Sequence, residues 1–107
     1  PWGYFVNLIE EKTLKVKKLV IHPGQKISFQ FHNHRDEKWF AIKGKGLVYI
    51  ERKKLEFKKG SFFEIIKGQK HSIENTGKLN LEFIEIQFGK KVVEEDIVRL
   101  KDIYGRV

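Results

Sequence analysis

The sequence predicts an all-β domain, an antiparallel sandwich or small barrel, and three observations support this fold class. Apolar and polar residues alternate along most of the chain, as in "LKVKKLVI" at 14–21, and a period of two is typical of strands. Turn sequences such as "HPGQ" at 22–25 and "NTGK" at 75–78 separate these segments. Many short strands at this spacing are typical of sandwiches and small barrels.

The elements follow the alternating segments in order. The predicted strands are 4–10, 14–21, 26–32, 38–43, 47–51, 53–57, 61–66, 71–74 and 79–88. The last segment, "EEDIVRLKDIYGR" at 94–106, begins with acidic residues that suit a helix N-terminus. It is predicted to form a short helical or irregular tail.

Length and composition limit the possible functions. A chain of 107 residues is predicted to form one domain, 1–107, with a core of its own. The absence of cysteine excludes disulfides, zinc–thiolate sites and thiol nucleophiles. Neither a membrane-length apolar run nor a signal segment is present, so we expect a cytoplasmic protein without membrane contact. Abundant Lys and Glu without Cys or Met also fit a hot environment.

The formal net charge of +8 raises the question of nucleic acid. The lysines are scattered and alternate with apolar residues, as on the solvent face of a strand, so we expect no nucleic-acid partner. A basic surface that attracts a small phosphorylated substrate explains the charge equally well.

Two segments are apolar on both strand faces, "FFEII" at 62–66 and "LEFIEIQF" at 81–88. A small monomer has little material with which to cover the outer face of its sheets. We therefore expect a homodimer that buries these residues between subunits.

The stretch "FHNHRDEKW" at 31–39 is the first candidate for a functional site. If the strand continues through it, His32 and His34 share one face, and Glu37 follows closely. Buried imidazoles and carboxylates need partners, and a metal ion provides one. The alternative is a solvated loop rim with both histidines on the surface.

The wider pattern resembles the cupins. Their first motif, a glycine, His-x-His, a Glu and a second glycine, is matched by Gly24, "HNH" at 32–34, Glu37 and Gly44. Their second motif is matched by Gly60, Gly68, His71 and Asn75, with Ile66 in place of the usual proline. Only two residues separate His34 from Glu37, where most cupins have three or four. The resemblance implies a cupin barrel whose metal ligands are His32, His34, Glu37 and His71.

The chain resembles more narrowly the C-terminal domain of type II mannose-6-phosphate isomerases that are fused to a mannose-1-phosphate guanylyltransferase. Segments shared with that family include "PWGYF", "IHPGQKISFQFHNHRDEKW", "GQKHSIENTGK" and "LEFIEIQFG", with Lys38 where a His is common. A nucleotidyltransferase domain is absent, so this chain alone should not make a GDP-sugar.

That resemblance implies a metal-dependent isomerase that interconverts mannose 6-phosphate and fructose 6-phosphate through an enediolate. Zinc is the first expectation, and iron, cobalt, nickel or manganese also suit nitrogen and oxygen ligands. The metal would stabilise the developing negative charge. Glu37, Glu64 and Glu85 are the candidate proton-transfer bases. Arg35, Arg106 and Lys43 are the candidates for binding the phosphate, and Gln30 for binding the sugar.

Two alternatives remain open at this point. One is a non-catalytic, metal-containing cupin that binds a sugar or regulates, and that acts with a separately encoded mannose-1-phosphate guanylyltransferase. The other is a different cupin enzyme such as an iron-dependent dioxygenase, because histidines with a carboxylate also bind iron.

Overall fold

The structure, a computed structural model, describes residues 1–100. The strands are β1 Gly3–Glu10, β2 Leu14–Ile21, β3 Lys26–Phe31, β4 Arg35–Lys43, β5 Lys45–Ile50, β6 Lys53–Lys58, β7 Phe62–Ile65, β8 His71–Glu74, β9 Leu81–Gly89 and β10 Val98–Arg99. The tail, predicted to be helical or irregular, forms a turn and the short strand β10 over residues 94–100 and no helix in that range, and 101–106 lie outside the described residues. Within residues 1–100, no helix is long and apolar enough to cross a membrane.

The strands form two five-stranded sheets. The first has the order β1-β2-β9-β4-β7, and the second has the order β10-β3-β8-β5-β6. Every described strand pair is antiparallel. The predicted all-β antiparallel class is therefore confirmed, and each of the nine predicted strand segments contains a strand.

The core lies between the two sheets, because alternate residues of each strand face inward. Phe83 on β9 packs against Phe57 on β6, with ring centroids 5.5 Å apart, and Trp39 on β4 packs against the same Phe57 at 6.3 Å. The buried apolar cluster comprises Leu19, Ile21, Trp39, Ala41, Val48, Ile50, Phe57, Ile65, Ile73, Leu81 and Phe83. Burial of these side chains stabilises the fold by about 1.5–3 kcal/mol for each large residue.

Large apolar side chains also remain exposed outside this core. They lie on the edge strand β1 and on the outer face of β4 and β7, and include Tyr4, Phe5, Val6, Leu8, Ile9, Phe40 and Phe62. An outer face of this kind is what led us to expect a homodimer. The homodimer itself stays a prediction.

Candidate metal and ligand site

One end of the interior is lined with polar residues. On the neighbouring strands β2, β9 and β4, Lys17 lies opposite Glu85, and Gln87 lies opposite Glu37. All four side chains are buried. We call this end, together with the histidines that face it, the polar half of the interior. Buried polar groups are costly without partners, so their contacts decide what the site can do.

Three potential metal ligands meet in the polar half. The side chains of His32, Glu37 and His71 are buried, and their ligand atoms all lie within 4.8 Å of one another. His32 Nε2 is 3.1 Å from Glu37 Oε2. The two imidazole ring centroids are 5.0 Å apart. The structure thus brings together three of the four residues expected to bind a metal.

The backbone fixes the orientation of both imidazoles. His32 Nδ1 donates to the carbonyl oxygen of Asp96 at 2.6 Å, and His71 Nδ1 donates to that of Gln69 at 3.0 Å. Metal-binding histidines generally donate their second ring nitrogen in this way. His71 Nε2 is buried without a hydrogen-bond partner. Burial lowers the pKa of His71 more than the Glu37 charge raises it, which favours the neutral ring and a free lone pair on Nε2.

Glu37 is the central acceptor of the polar half. Arg35 Nε donates to its Oε2 at 2.8 Å, and Trp39 Nε1 donates to its Oε1 at 2.9 Å. Burial raises the pKa of Glu37, but the hydrogen bond with His32 and the charge of Arg35 lower it by more, so the net pKa lies well below its usual range. The carboxylate is therefore ionised at neutral pH, as a metal ligand must be.

Glu85 differs from Glu37 in its protonation. Burial and then the Glu37 charge raise the pKa of Glu85 to about 8, against the hydrogen bond from Gln87 Nε2. At neutral pH its carboxyl group is thus mainly protonated, and a neutral carboxyl group can donate as well as accept a hydrogen bond. The site therefore offers one ionised and one neutral carboxyl group to a ligand.

Some residues of the polar half, His71 and Gln87 among them, line a cavity of about 260 Å³. Arg35, Gln30 and Glu85 line it, as do both tryptophans, Trp2 and Trp39. Lys17, Glu94 and Arg99 add charged groups to its wall. In the described part of the chain, the buried side-chain polar atoms without a hydrogen-bond partner are His71 Nε2, Ser72 Oγ and Gln87 Oε1. All three residues line this cavity, so it is the place where the fold leaves polar atoms unsatisfied.

His34 does not join the cluster. β3 ends at Phe31, residues 33–34 form a bend, and β4 restarts the alternation at Arg35. His34 is exposed, and the inward position that we expected it to occupy belongs to Arg35, which is buried. The expected four-ligand set is corrected to His32, Glu37 and His71.

The bend that separates His32 from His34 is held from two sides. The Asp96 carboxylate accepts hydrogen bonds from the backbone N–H groups of Asn33 and His34 at 2.8 and 2.9 Å. Gly68, in a left-handed conformation that favours glycine, donates to the carbonyl oxygen of His32 at 2.8 Å. The acidic segment around Asp96, whose charge suited a helix N-terminus, thus orders the bend beside the candidate metal ligands instead.

Three other expected site residues lie elsewhere. Glu64 is exposed on β7, because Phe63 and Ile65 take the more buried positions of that strand, and its carboxylate is 3.8 Å from Lys38 Nζ. Lys43 is exposed at the end of β4 remote from Glu37, and lines a different cavity. Arg106 lies outside the described residues. Glu64 and Lys43 are therefore no longer candidates for this site.

Sequence reasoning missed Lys17, Arg99, Ser72 and Asp96. Lys17 was interpreted as part of a solvent face, although it shares its strand face with Leu19, and this parity was a usable signal. No local pattern indicates that Asp96 reaches a bend more than sixty residues earlier in the chain.

Comparisons with known proteins agree with the fold. A mannose-1-phosphate guanylyltransferase of Klebsiella pneumoniae is 37% identical over 106 residues, which are 99% of this chain and 22% of that protein. The cupin domain of Schizosaccharomyces pombe Cnp3 matches with a TM-score of 0.76 and 20% identity, over 79% of this chain and 63% of that one. A Klebsiella pneumoniae protein with a double-stranded β-helix domain matches with a TM-score of 0.81 and 20% identity, over 94% and 85%. The cupin fold is thereby confirmed.

The predicted isomerase activity is wrong. Curated relatives 35–37% identical to this chain are named mannose-1-phosphate guanylyltransferases, which are nucleotidyltransferases. The chain spans only about a fifth of their length, 22%. The activity had been assigned through a resemblance that covers the barrel alone, and the same barrel occurs in proteins named for nucleotidyl transfer. The alternative of a cupin that acts with a guanylyltransferase fits these names better.

The family assignment covers almost the whole chain. Residues 1–102 match the family described as mannose-6-phosphate isomerase C-terminal. This match includes both halves of the candidate site, the bend at 32–34 and the strand that begins at His71. The chain belongs to the mannose-6-phosphate isomerase C-terminal family.

Proposed function

We propose that this chain is a non-catalytic cupin module that binds a mannose phosphate beside a divalent metal and acts with a mannose-1-phosphate guanylyltransferase. One observation carries the proposal. In the described part of the chain, the residues whose buried side-chain polar atoms lack a partner, His71, Ser72 and Gln87, all line one cavity with cations in its wall. Unsatisfied buried polar atoms are rare in folded proteins, and each one needs an explanation; a bound ligand supplies it here.

His32, Glu37 and His71 would hold the metal. Two histidines and one carboxylate suit zinc, iron, cobalt, nickel or manganese, and such a set leaves coordination positions open for a ligand. When bound, the metal would act as a Lewis acid toward sugar oxygens. The described residues fit it because their ligand atoms lie within 4.8 Å of one another and both Nδ1 atoms are held by backbone carbonyl oxygens.

The cavity suits a phosphorylated monosaccharide. Its volume of about 260 Å³ is slightly below the usual range of ligand pockets, roughly 300–1,000 Å³, which favours a sugar phosphate over a larger nucleotide sugar. Arg35, Lys17 and Arg99 offer positive charge for the phosphate, and the faces of Trp2 and Trp39 suit the C–H surface of a sugar. The net charge of +8 adds long-range attraction for anions.

The partnership with a guanylyltransferase rests on the relatives. They carry this barrel within a chain several times longer, since the match covers 22% of their length. A module that binds mannose 1-phosphate beside a nucleotidyltransferase would hold or sense that enzyme's substrate. Regulation or substrate delivery is therefore the role that we propose, whether the nucleotidyltransferase is fused or separate.

Calorimetric titration with mannose 1-phosphate tests the proposal. We expect binding by the metal-loaded protein, weaker binding by Lys17→Gln, and no change for Lys59→Gln, which removes the same charge at an exposed position outside this cavity. NMR should show the sugar phosphate chemically unchanged after incubation. If the folded, metal-loaded protein binds no mannose 1-phosphate, or if both substitutions weaken binding equally, the proposal is wrong.

A further inference from the structure

The guanidinium group of Arg35 contacts two side chains of the candidate metal triad, Glu37 and His32. Arg35 Nε donates to Glu37 Oε2 at 2.8 Å, and Arg35 Nη2 lies 3.4 Å from His32 Nε2. Glu37 Oε2 and His32 Nε2 are 3.1 Å apart, and both belong to the triad. Because a guanidinium has only donors and stays charged, it already acts as the cation of this site.

A metal ion and the guanidinium in its present place compete with each other. Both would bind the Glu37 carboxylate beside His32 Nε2, and both are cations in a buried environment, where charges repel more strongly than in water. The other described contact of the guanidinium is weaker, because Nη1 donates to the carbonyl oxygen of Val93 at 3.3 Å. Arg35 also lines the cavity, which gives the guanidinium a direction in which to move.

We propose that Arg35 is a resident cation that a metal must displace, and that an anion in the cavity becomes its new partner. The guanidinium fork matches the oxygens of phosphate or sulfate in a bidentate contact. Anion binding thus frees Glu37 and His32 for the metal, and metal binding frees Arg35 for the anion. The two ligands bind cooperatively, with the same coupling in both directions. Only the identity of the anion as a sugar phosphate rests on the proposed function.

Cobalt titration tests the displacement without an anion. Co²⁺ bound at the triad is followed by its visible absorption in the wild type, in Arg35→Gln and in Lys59→Gln. The last variant removes one positive charge at an exposed residue outside this cavity. We expect Arg35→Gln to bind Co²⁺ roughly 5- to 150-fold more tightly than the wild type, the usual range of coupling between sites. Lys59→Gln should change the affinity little.

Sulfate tests the coupling between the anion and the metal. The sulfate effect on the wild type is the main measurement, and Arg35→Gln is its control. Replacing chloride with sulfate at constant ionic strength should tighten Co²⁺ binding several-fold in the wild type and have no effect in Arg35→Gln. Arg35→Lys, which keeps a cation, serves if Arg35→Gln does not fold, and should show a smaller sulfate effect than the wild type because an ammonium group cannot make the bidentate contact. Unchanged Co²⁺ affinity in Arg35→Gln, or no sulfate effect on the wild type, would overturn the inference. Failure to bind mannose 1-phosphate would instead overturn only the proposed function.

Discussion

The two halves of the barrel interior are built from the same strands and have opposite chemistry. Toward one end, β2, β9 and β4 place Leu19, Phe83 and Ala41 side by side, and all three are buried. Two residues further along, the same faces carry Lys17 and Glu85, also buried. Strand alternation therefore determines which side chains point inward, but not whether the interior at that level is apolar.

The apolar half of the interior mainly stabilises the fold, whereas the polar half carries the candidate site. The apolar half stabilises the protein by removing surface from water. The polar half gives a smaller net stabilisation, because the desolvation of buried charges offsets much of their attraction. Local conflicts of this kind are expected at functional sites. The positions that depart from a simple core, Glu37, His71 and Arg35 among them, are therefore the ones assigned to ligand binding.

A second cavity shows that volume and charge alone do not identify a site. It measures about 590 Å³ and is lined by Lys45, Lys58, Lys59 and Lys78, which are exposed. The residues with unsatisfied buried polar atoms line the smaller cavity instead. Burial and mutual orientation of polar groups are the better criteria.

The largest expected loss of stability comes from removing the negative charge of Glu37, at the centre of the polar half. Glu37→Gln preserves the shape but leaves the buried guanidinium of Arg35 without its counter-ion. Breaking a buried ion pair from one side costs about 3–5 kcal/mol. We expect the free energy of unfolding in urea to fall by about that amount, and metal binding to be lost.

Glu56→Gln is the matched control for that substitution. Glu56 pairs with Lys58 at 3.3 Å, and both side chains are about two-thirds exposed, 67% and 65%. Its loss should change stability by no more than about 0.5 kcal/mol. If both substitutions lowered the free energy of unfolding equally, the buried ion pair of the polar half would contribute no more than a surface pair, and the contrast between the two halves would be wrong.

The next largest effect is the loss of stabilisation by a metal, and it should differ between His71 and His34, which were both predicted to be ligands. Metal at 100 times its Kd should stabilise the wild type by about 2.7 kcal/mol. His71→Ala should lose most of this stabilisation, because it removes a buried ligand, whereas His34→Ala should keep it, because His34 is exposed. Unfolding with added Zn²⁺ and with a chelator measures both. Loss of the metal effect in His34→Ala would restore the ligand set expected from the sequence.

The reason for that misassignment shows what a sequence can predict. The nine strands follow from local alternation, and each predicted segment contains a strand. The exposure of His34 depends on where β3 ends, and that end is held by Asp96 from the distant tail. Strand ends are the least reliable part of a sequence-based assignment. A shift of one residue in register moves a side chain to the other face, so the error fell on the residue beside the bend.

The smallest expected change in stability concerns Glu94, which lies at the solvent-exposed edge of the polar half. Its carboxylate accepts hydrogen bonds from Lys17 Nζ at 2.7 Å and from Lys15 Nζ at 3.3 Å. Burial raises the pKa of Glu94, but the hydrogen bonds and charges of Lys17 and Lys15 lower it by a larger amount. The net pKa therefore lies below its ordinary value of 4.5. A lowered folded pKa means that the stabilisation is complete above the unfolded pKa and is lost as the pH falls through the folded one. Glu94→Gln should therefore cost about 0.5 kcal/mol at pH 7, with the difference from the wild type shrinking below pH 4.5.

Denaturant unfolding of both proteins across this pH range measures that difference, with the exposed neighbour Glu95→Gln as the control. A difference that stays constant with pH would show that the Glu94 charge does not hold Lys17 in its buried place. Lys17 would then depend on other contacts, such as the ring of Phe5, whose centroid is 4.3 Å from Nζ. Either result shows whether Lys17, which lies opposite Glu85 on the neighbouring strand, is fixed by Glu94 or is available to a ligand in the cavity.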